Sequence, residues 1–79
     1  MSNYAELPKI LQYGKLTLTR QNLGRFQITM EGLVEPIASV EPDEDGSWFW
    51  LHYESECVGT AAWLSEVAAV IDGIHTGGR

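Results

Sequence analysis

The most reactive side chains of this 79-residue chain are those of Cys57, His52 and His75. A cysteine thiolate beside a histidine base is the pair that cysteine-dependent hydrolases use. No protease-like motif surrounds Cys57, and an isolated cysteine is more often a small buried hydrophobic residue. The two histidines also lack the close spacing that marks a zinc site. The sequence therefore predicts neither catalysis nor a bound cofactor.

A second candidate chemistry is calcium binding in the segment from Glu41 to His52. Glu41, Asp43 and Asp45 fall at the first, third and fifth positions of an EF-hand loop, with a glycine at the sixth. The twelfth position is His52, where the motif requires a bidentate glutamate, and Pro42 occupies the second position. The flanking segments have the pattern of strands and not of helices. We therefore expect no calcium site.

Carboxylates are concentrated in the middle third of the chain. The formal net charge is −6, and residues 31–56 contain eight of the eleven acidic residues with no lysine or arginine. Such a segment repels nucleic-acid phosphates and attracts a basic protein surface. Folded into one continuous negative surface, these side chains would imitate a line of phosphates. The candidate partner-binding carboxylates are Glu31, Glu35, Glu41, Asp43, Glu44, Asp45, Glu54 and Glu56. The alternative is that they only keep a small protein soluble and protect its strand edges.

Trp48 and Trp50 form a second candidate partner-binding feature, with His52 on the same side of a predicted strand. Tryptophan is over-represented at binding hot spots because it buries a large area at a small cost in conformational entropy. An aromatic patch bordered by carboxylates would suit a protein partner. The alternative is that one or both tryptophans pack in the core.

Length and composition indicate one folded domain, residues 1–79. The chain is 44% hydrophobic and 20% charged, which is typical of globular proteins. Its longest apolar run, Trp48 to Leu51, is far shorter than a membrane span, and the N-terminus lacks the features of a signal peptide. A single cysteine excludes an intrachain disulfide. We expect a cytoplasmic protein that does not bind a membrane or nucleic acid directly and is a monomer or a weak dimer.

Hydrophobic periodicity predicts an α+β fold. Alternating residues indicate strands over 15–21 and 25–31, joined by a turn at 22–24, and Pro36 limits a third, edge-type strand to 37–41. The Asp-Gly of the 42–47 segment predicts a turn before a fourth strand, 47–53. The result is an antiparallel meander of about four strands.

Two helices are expected around this sheet. A short N-terminal one would have Ser2 or Asn3 as its cap, Leu7, Ile10 and Leu11 at helical spacing, and Gly14 after its end. The C-terminal helix would follow an N-cap at Thr60, run from Ala61 to about Ile74 and cover one face of the sheet. Its apolar stripe would consist of Leu64, Val67, Ala68, Ile71 and Ile74 or His75.

The segments MSNYAELPKILQYGKLTLTR and EPDEDGSWFWLHYESE resemble those of the small phage-encoded anti-CRISPR proteins that act on type I systems, type I-C among them. The resemblance covers the whole chain and implies no catalytic residues. It implies a stoichiometric inhibitor in the bacterial cytoplasm that binds a Cas protein of the surveillance complex, or its nuclease. Several acidic members of this group occupy the channel for target DNA. The alternative function is a regulatory or structural interaction domain, similar to an antitoxin or immunity protein, that associates through its tryptophan face.

Overall fold

Residues 8–77, which the computed structural model describes, form an antiparallel sheet followed by a helix. The sheet order β1-β2-β3-β4-β5-β6 follows the order of the chain, so each strand pairs with the next one. A 3₁₀ turn, Asn22–Gly24, joins β2 to β3. The elements are β1 Ile10–Tyr13, β2 Leu16–Arg20, β3 Phe26–Met30, β4 Ala38–Pro42, β5 Trp48–His52, β6 Val58–Ala61 and α1 Leu64–Gly77.

The predicted α+β class, the meander and the C-terminal helix are confirmed. The predicted strands over 15–21, 25–31, 37–41 and 47–53 correspond to β2, β3, β4 and β5, and the 42–47 turn joins the last two. The 37–41 strand is not at an edge as expected, because β4 pairs with β3 on one side and β5 on the other. Gly46 has φ 92°, the positive value that a glycine adopts without strain. The predicted number of about four strands was too low, because the sheet has a further strand at each edge.

The N-terminal helix is not seen in the described residues, because Ile10 and Leu11 belong to β1. This strand pairs with β2 across the turn at Gly14, whose φ is 60°, with Leu11 opposite Leu18 and Tyr13 opposite Leu16. Leu11 and Tyr13, two residues apart, both pack against the core, and this two-residue periodicity is that of a strand and not of a helix. The predicted helical residues Ser2, Asn3 and Leu7 lie outside the described residues.

The C-terminal helix begins later than predicted, because Thr60 and Ala61 lie in β6. Thr60 is therefore not the N-cap. Instead, the Glu66 side chain accepts a hydrogen bond at 3.0 Å from the Ala62 N–H just before the helix. The predicted inward stripe is confirmed: Leu64, Val67, Ala68 and Ile71 are buried. Among residues 8–77, no helix is long and apolar enough to cross a membrane.

The helix packs over β5 and β6, on the sheet face that carries Trp48, Trp50 and His52. This face continues across the sheet as the hydrophobic core, in which Trp50 is 8% exposed. Phe49 and Leu51 lie on the opposite face. The core comprises Leu16, Leu18, Phe26, Ile28, Met30, Ile37, Ala38, Val40, Trp50, Leu64, Val67, Ala68 and Ile71.

We predict opposite effects for two glycine-to-alanine substitutions. A Cβ at Gly59 would lie 2.6 Å from Cζ2 of the buried Trp50 indole, whereas a Cβ at Gly73 of α1 has no neighbour within 4 Å. Gly59→Ala should therefore destabilise the protein by about 1–3 kcal/mol through overpacking. Gly73→Ala should stabilise it by about 0.5–1 kcal/mol through helix propensity. Urea unfolding followed by circular dichroism measures both, and a neutral Gly59→Ala would contradict this packing of Trp50.

Candidate functional site

The meander places its connections alternately at the two ends of the strands. One end, here called the hairpin end, carries connections 21–25 and 43–47. The other, the loop end, carries connections 14–15, 31–37 and 53–57, together with the C-terminal part of α1. Strands of five residues at about 3.3 Å per residue separate these ends by about 17 Å.

This topology divides the candidate partner-binding carboxylates into two groups of four. All eight side chains are exposed. They do not form the single continuous surface expected from the sequence, because successive connections of an antiparallel meander alternate between ends. The hairpin end carries Glu41, Asp43, Glu44 and Asp45; the loop end carries Glu31, Glu35, Glu54 and Glu56.

The basic residues make the two acidic ends unequal. Lys9, Arg20 and Arg25 lie at the hairpin end, where the Arg25 Nε is 3.6 Å from the Glu41 Oε1. Within residues 8–77, Arg25 and Glu41 form the one ion pair between two described side chains. The loop end has a single lysine or arginine within residues 8–77, which is Lys15. The four carboxylates of the loop end are therefore less compensated by nearby positive charge.

Hydrogen bonds hold the tip of the β4–β5 hairpin in one conformation. The Asp43 N–H donates to the Ser47 carbonyl at 2.8 Å. The Ser47 hydroxyl and main-chain N–H both donate to Asp45 Oδ1, at 2.6 and 3.0 Å. These bonds stabilise the Asp45 carboxylate and lower its pKa below the ordinary value, and the bond from the hydroxyl has the larger effect. Asp45 therefore shapes the turn, whereas the Glu44 side chain is exposed at its tip and Glu41 is paired with Arg25.

The sheet face opposite the helix, here called the open face, has no charged residue along its middle row, and no element of residues 8–77 packs on it. The strand register places Ile10, Thr19, Gln27, Ser39, Leu51 and Val58 side by side across all six strands. Hydroxyl and amide groups occupy the centre of this row, and the apolar side chains of Leu51 and Val58 lie toward β6. The two acidic ends thus border a neutral surface.

Trp48 and Trp50 lie on the helix side of β5 and not on the open face. Trp50 is part of the core, and the half-buried Trp48 packs edge to face on Phe26, with ring centroids 6.0 Å apart. The core-packing alternative describes both better than the expected aromatic patch, because α1 covers their face of the sheet. By contrast, Trp63 before the helix is 66% exposed.

A chain of hydrogen bonds connects Ser55, His52 and His75. The Ser55 Oγ lies 2.8 Å from His52 Nδ1, and the Ser55 N–H donates to the same nitrogen at 3.2 Å. Nδ1 is therefore an acceptor, so neutral His52 carries its proton on Nε2 and donates to His75 Nδ1 at 3.0 Å. This network ties β5 and the following turn to the end of α1. The sequence gives no local signal for this network, because His52 and His75 are 23 residues apart.

A serine bonded to a histidine that is bonded to a second histidine resembles a hydrolytic triad. The hydrogen bonds around Ser55, however, are those of a tight turn. The Ser55 N–H is bonded to His52 Nδ1, the Glu56 N–H to the His52 carbonyl and the Cys57 N–H to Ser55 Oγ. An attacking serine needs free N–H donors for the oxyanion. The main-chain N–H groups of Ser55, Glu56 and Cys57 are already used. The network therefore stabilises the β5–β6 turn, in which Glu56 has φ 62°.

The Cys57 thiol is exposed, so this cysteine is not the small buried hydrophobic residue that the sequence favoured. Among residues 8–77, no group of three or more histidine, cysteine, aspartate and glutamate side chains is arranged to hold a metal ion.

A groove of about 570 Å³ lies at the loop end of the sheet. Its walls are residues 33–37, which connect β3 to β4, with Tyr53, Glu54 and His75. Val34 in this connection is 95% exposed, and Leu33 and Tyr53 are also exposed. The sequence analysis identified Glu35 and Glu54 here only as acidic residues. It missed the groove because three separate parts of the chain form it.

Comparison with protein-family models, with curated proteins and with solved structures finds no match to this chain.

The His52 network predicts that stability falls as the pH is lowered. Burial, and then the nearby charge of His75, lower the pKa of His52 below 6.5, whereas Glu54 opposes the shift. Between pH 6.5 and the lower pKa of the folded state, the unfolded chain binds more protons, so that acid favours unfolding. Melting temperatures should therefore fall from about pH 7.5 to about pH 5.5.

Two variants test whether His52 is the cause. His52→Gln removes the titrating ring and should flatten the pH dependence of the melting temperature. His75→Gln leaves His52 buried and should keep most of it, because burial is the larger cause of the shift. A wild-type melting temperature that is equal at both pH values would contradict this interpretation.

Proposed function

We propose that this protein is a stoichiometric inhibitor that occupies a positively charged nucleic-acid-binding surface of another protein. Following the resemblance of its sequence, we propose as the target a Cas protein of a type I CRISPR surveillance complex, with type I-C as the first system to test, in the bacterial cytoplasm. The observation that carries the proposal is the pair of exposed acidic ends on either side of a neutral sheet face.

The spacing of the two ends suits imitation of duplex DNA. Two groups of four carboxylates lie about 17 Å apart along the strands. In DNA, two phosphate backbones border a major groove about 12 Å wide. Both arrangements present two lines of negative charge at a separation of the same order, with an uncharged surface between them. A protein channel lined with lysine and arginine would attract either one.

The open face resembles the floor of a groove in its chemistry. Thr17 is paired with Thr29, and Gln27 with Ser39, on the strands between the two ends. These side chains offer hydroxyl and amide groups, as base edges offer neutral donors and acceptors. A rigid sheet also holds both acidic ends at a fixed separation, so that little conformational entropy is lost on binding.

The second candidate is a regulatory or structural interaction domain of the antitoxin or immunity type. Its expected surface, the face with Trp48 and Trp50, is covered by α1. The exposed Trp63 is the observation that still favours an apolar contact with a partner. Salt distinguishes the two functions, because an apolar contact hardly responds to ionic strength, whereas contacts between opposite charges weaken.

Neutralising the acidic ends tests the inhibitor proposal. Glu41→Gln with Glu44→Gln removes two charges from the hairpin end; Glu31→Gln with Glu56→Gln removes two from the loop end. Each pair should weaken binding to a purified type I-C surveillance complex about tenfold. All four together should weaken it about a hundredfold, because sites this far apart act additively. Biolayer interferometry at several salt concentrations measures the affinity and its salt dependence.

Asp72→Asn provides the control, because it removes an exposed carboxylate from α1, on the side of the sheet away from the open face, and should leave the affinity unchanged. Duplex target DNA should also compete with the wild-type protein for the complex. The proposal fails if the fourfold variant binds as tightly as the wild type, or if the protein and target DNA bind together.

A further inference from the structure

We infer that the groove at the loop end binds an apolar segment of a partner protein that carries arginine side chains. This inference rests on the proposed function only in taking the partner to be a basic protein. The site is distinct from the open sheet face, because His75 of the helix forms part of its wall.

Main-chain hydrogen bonds hold the walls of the groove in place. The Leu33 N–H donates to the Met30 carbonyl at 2.9 Å, and the Ile37 N–H donates to the Ile28 carbonyl at 2.8 Å, so both ends of the 33–37 segment are fixed. The Tyr53 N–H donates to the Ile37 carbonyl at 3.0 Å and joins the second wall to the first. A site with fixed walls loses little entropy when it binds.

The lining of the groove is apolar at its surface and negative at two points. Leu33, Val34 and Tyr53 expose hydrophobic area, and Glu35 and Glu54 supply carboxylates. No lysine or arginine is among the lining residues that the structure describes. The volume of about 570 Å³ falls within the range of ligand sites, which is about 300–1,000 Å³. The groove thus presents apolar contacts and negative charge to the same occupant.

Arginine on an apolar segment satisfies both features. Its aliphatic stem covers hydrophobic side chains such as Leu33 and Val34, while its guanidinium group forms two parallel bonds to a carboxylate. Tyr53 adds a ring on which a guanidinium group can stack. A nucleic acid would be repelled by Glu35 and Glu54. A second copy of this chain would bring a further net charge of −6 to an acidic end.

A defined peptide tests this assignment on the full-length protein. The probe is a capped hexapeptide of alternating leucine and arginine, added to isotope-labelled protein and followed by amide chemical shifts. Saturable changes should centre on residues 33–37 and on Tyr53 and Glu54. Glu35→Gln with Glu54→Gln, and separately Val34→Ser, should each raise the dissociation constant about tenfold. All three side chains are exposed, so these variants should fold normally.

Control peptides separate specific binding from general charge attraction. A leucine–glutamate peptide should not bind, and a serine–arginine peptide should bind about tenfold more weakly than the leucine–arginine probe. The inference is overturned if the two arginine peptides bind equally, or if the shifts centre on residues 43–47. It is also overturned if sedimentation shows a dimer that Val34→Ser dissociates, or if a DNA duplex produces the same shifts.

The outcome is independent of the test of the inhibitor function. Failure of the peptide to bind, with the surveillance complex still captured through the acidic ends, would remove the groove and leave the proposed function intact. Peptide binding that requires Val34, without any binding to the surveillance complex, would support the groove and contradict the proposed function.

Discussion

The packing of α1 against β5 and β6 determines which side of the sheet other molecules can reach. β5 has large side chains on both faces, and the helix covers the face that contains Trp50. The indole lies directly over Gly59, where a larger residue would prevent the close contact. Because one face is filled in this way, the opposite face carries half-buried Phe49 and Leu51 beside threonine, serine and glutamine. The helix thus creates the core and leaves the other surface open.

The alternating direction of the strands determines where the negative charge lies on the molecule. Residues 31–56 pass from the loop end to the hairpin end and back again within two strands. A segment that is uniformly acidic along the chain therefore becomes two acidic ends in space, about 17 Å apart. Positive charge from Lys9, Arg20 and Arg25 lies at the hairpin end and compensates it more than the loop end, through contacts such as Arg25 with Glu41. The two ends of this small fold therefore differ in their balance of charge.

The His52–His75 contact connects the stability of the fold to the groove. His52 is 2% exposed and bonds through both ring nitrogens, whereas His75 also lines the groove. Protonating His52 on Nδ1 would direct a proton at the Ser55 N–H, so the neutral ring fits this network. The same two side chains thus fix the β5–β6 turn, the last turns of α1 and one wall of the groove.

The amino-acid pattern alone was sufficient for the class of the fold, four strands, the 42–47 turn and the inward stripe of α1, because these features depend on local periodicity and turn chemistry. It also showed the excess of carboxylates, which is a property of composition. It failed at Ile10 and Thr60, where short segments suit either a helix or a strand and only pairing with β2 or β5 decides. Tertiary structure alone decided that Trp50 is buried, that the carboxylates divide between two ends and that His75 meets His52. Each of these depends on which distant parts of the chain come together, and residue order does not specify that directly.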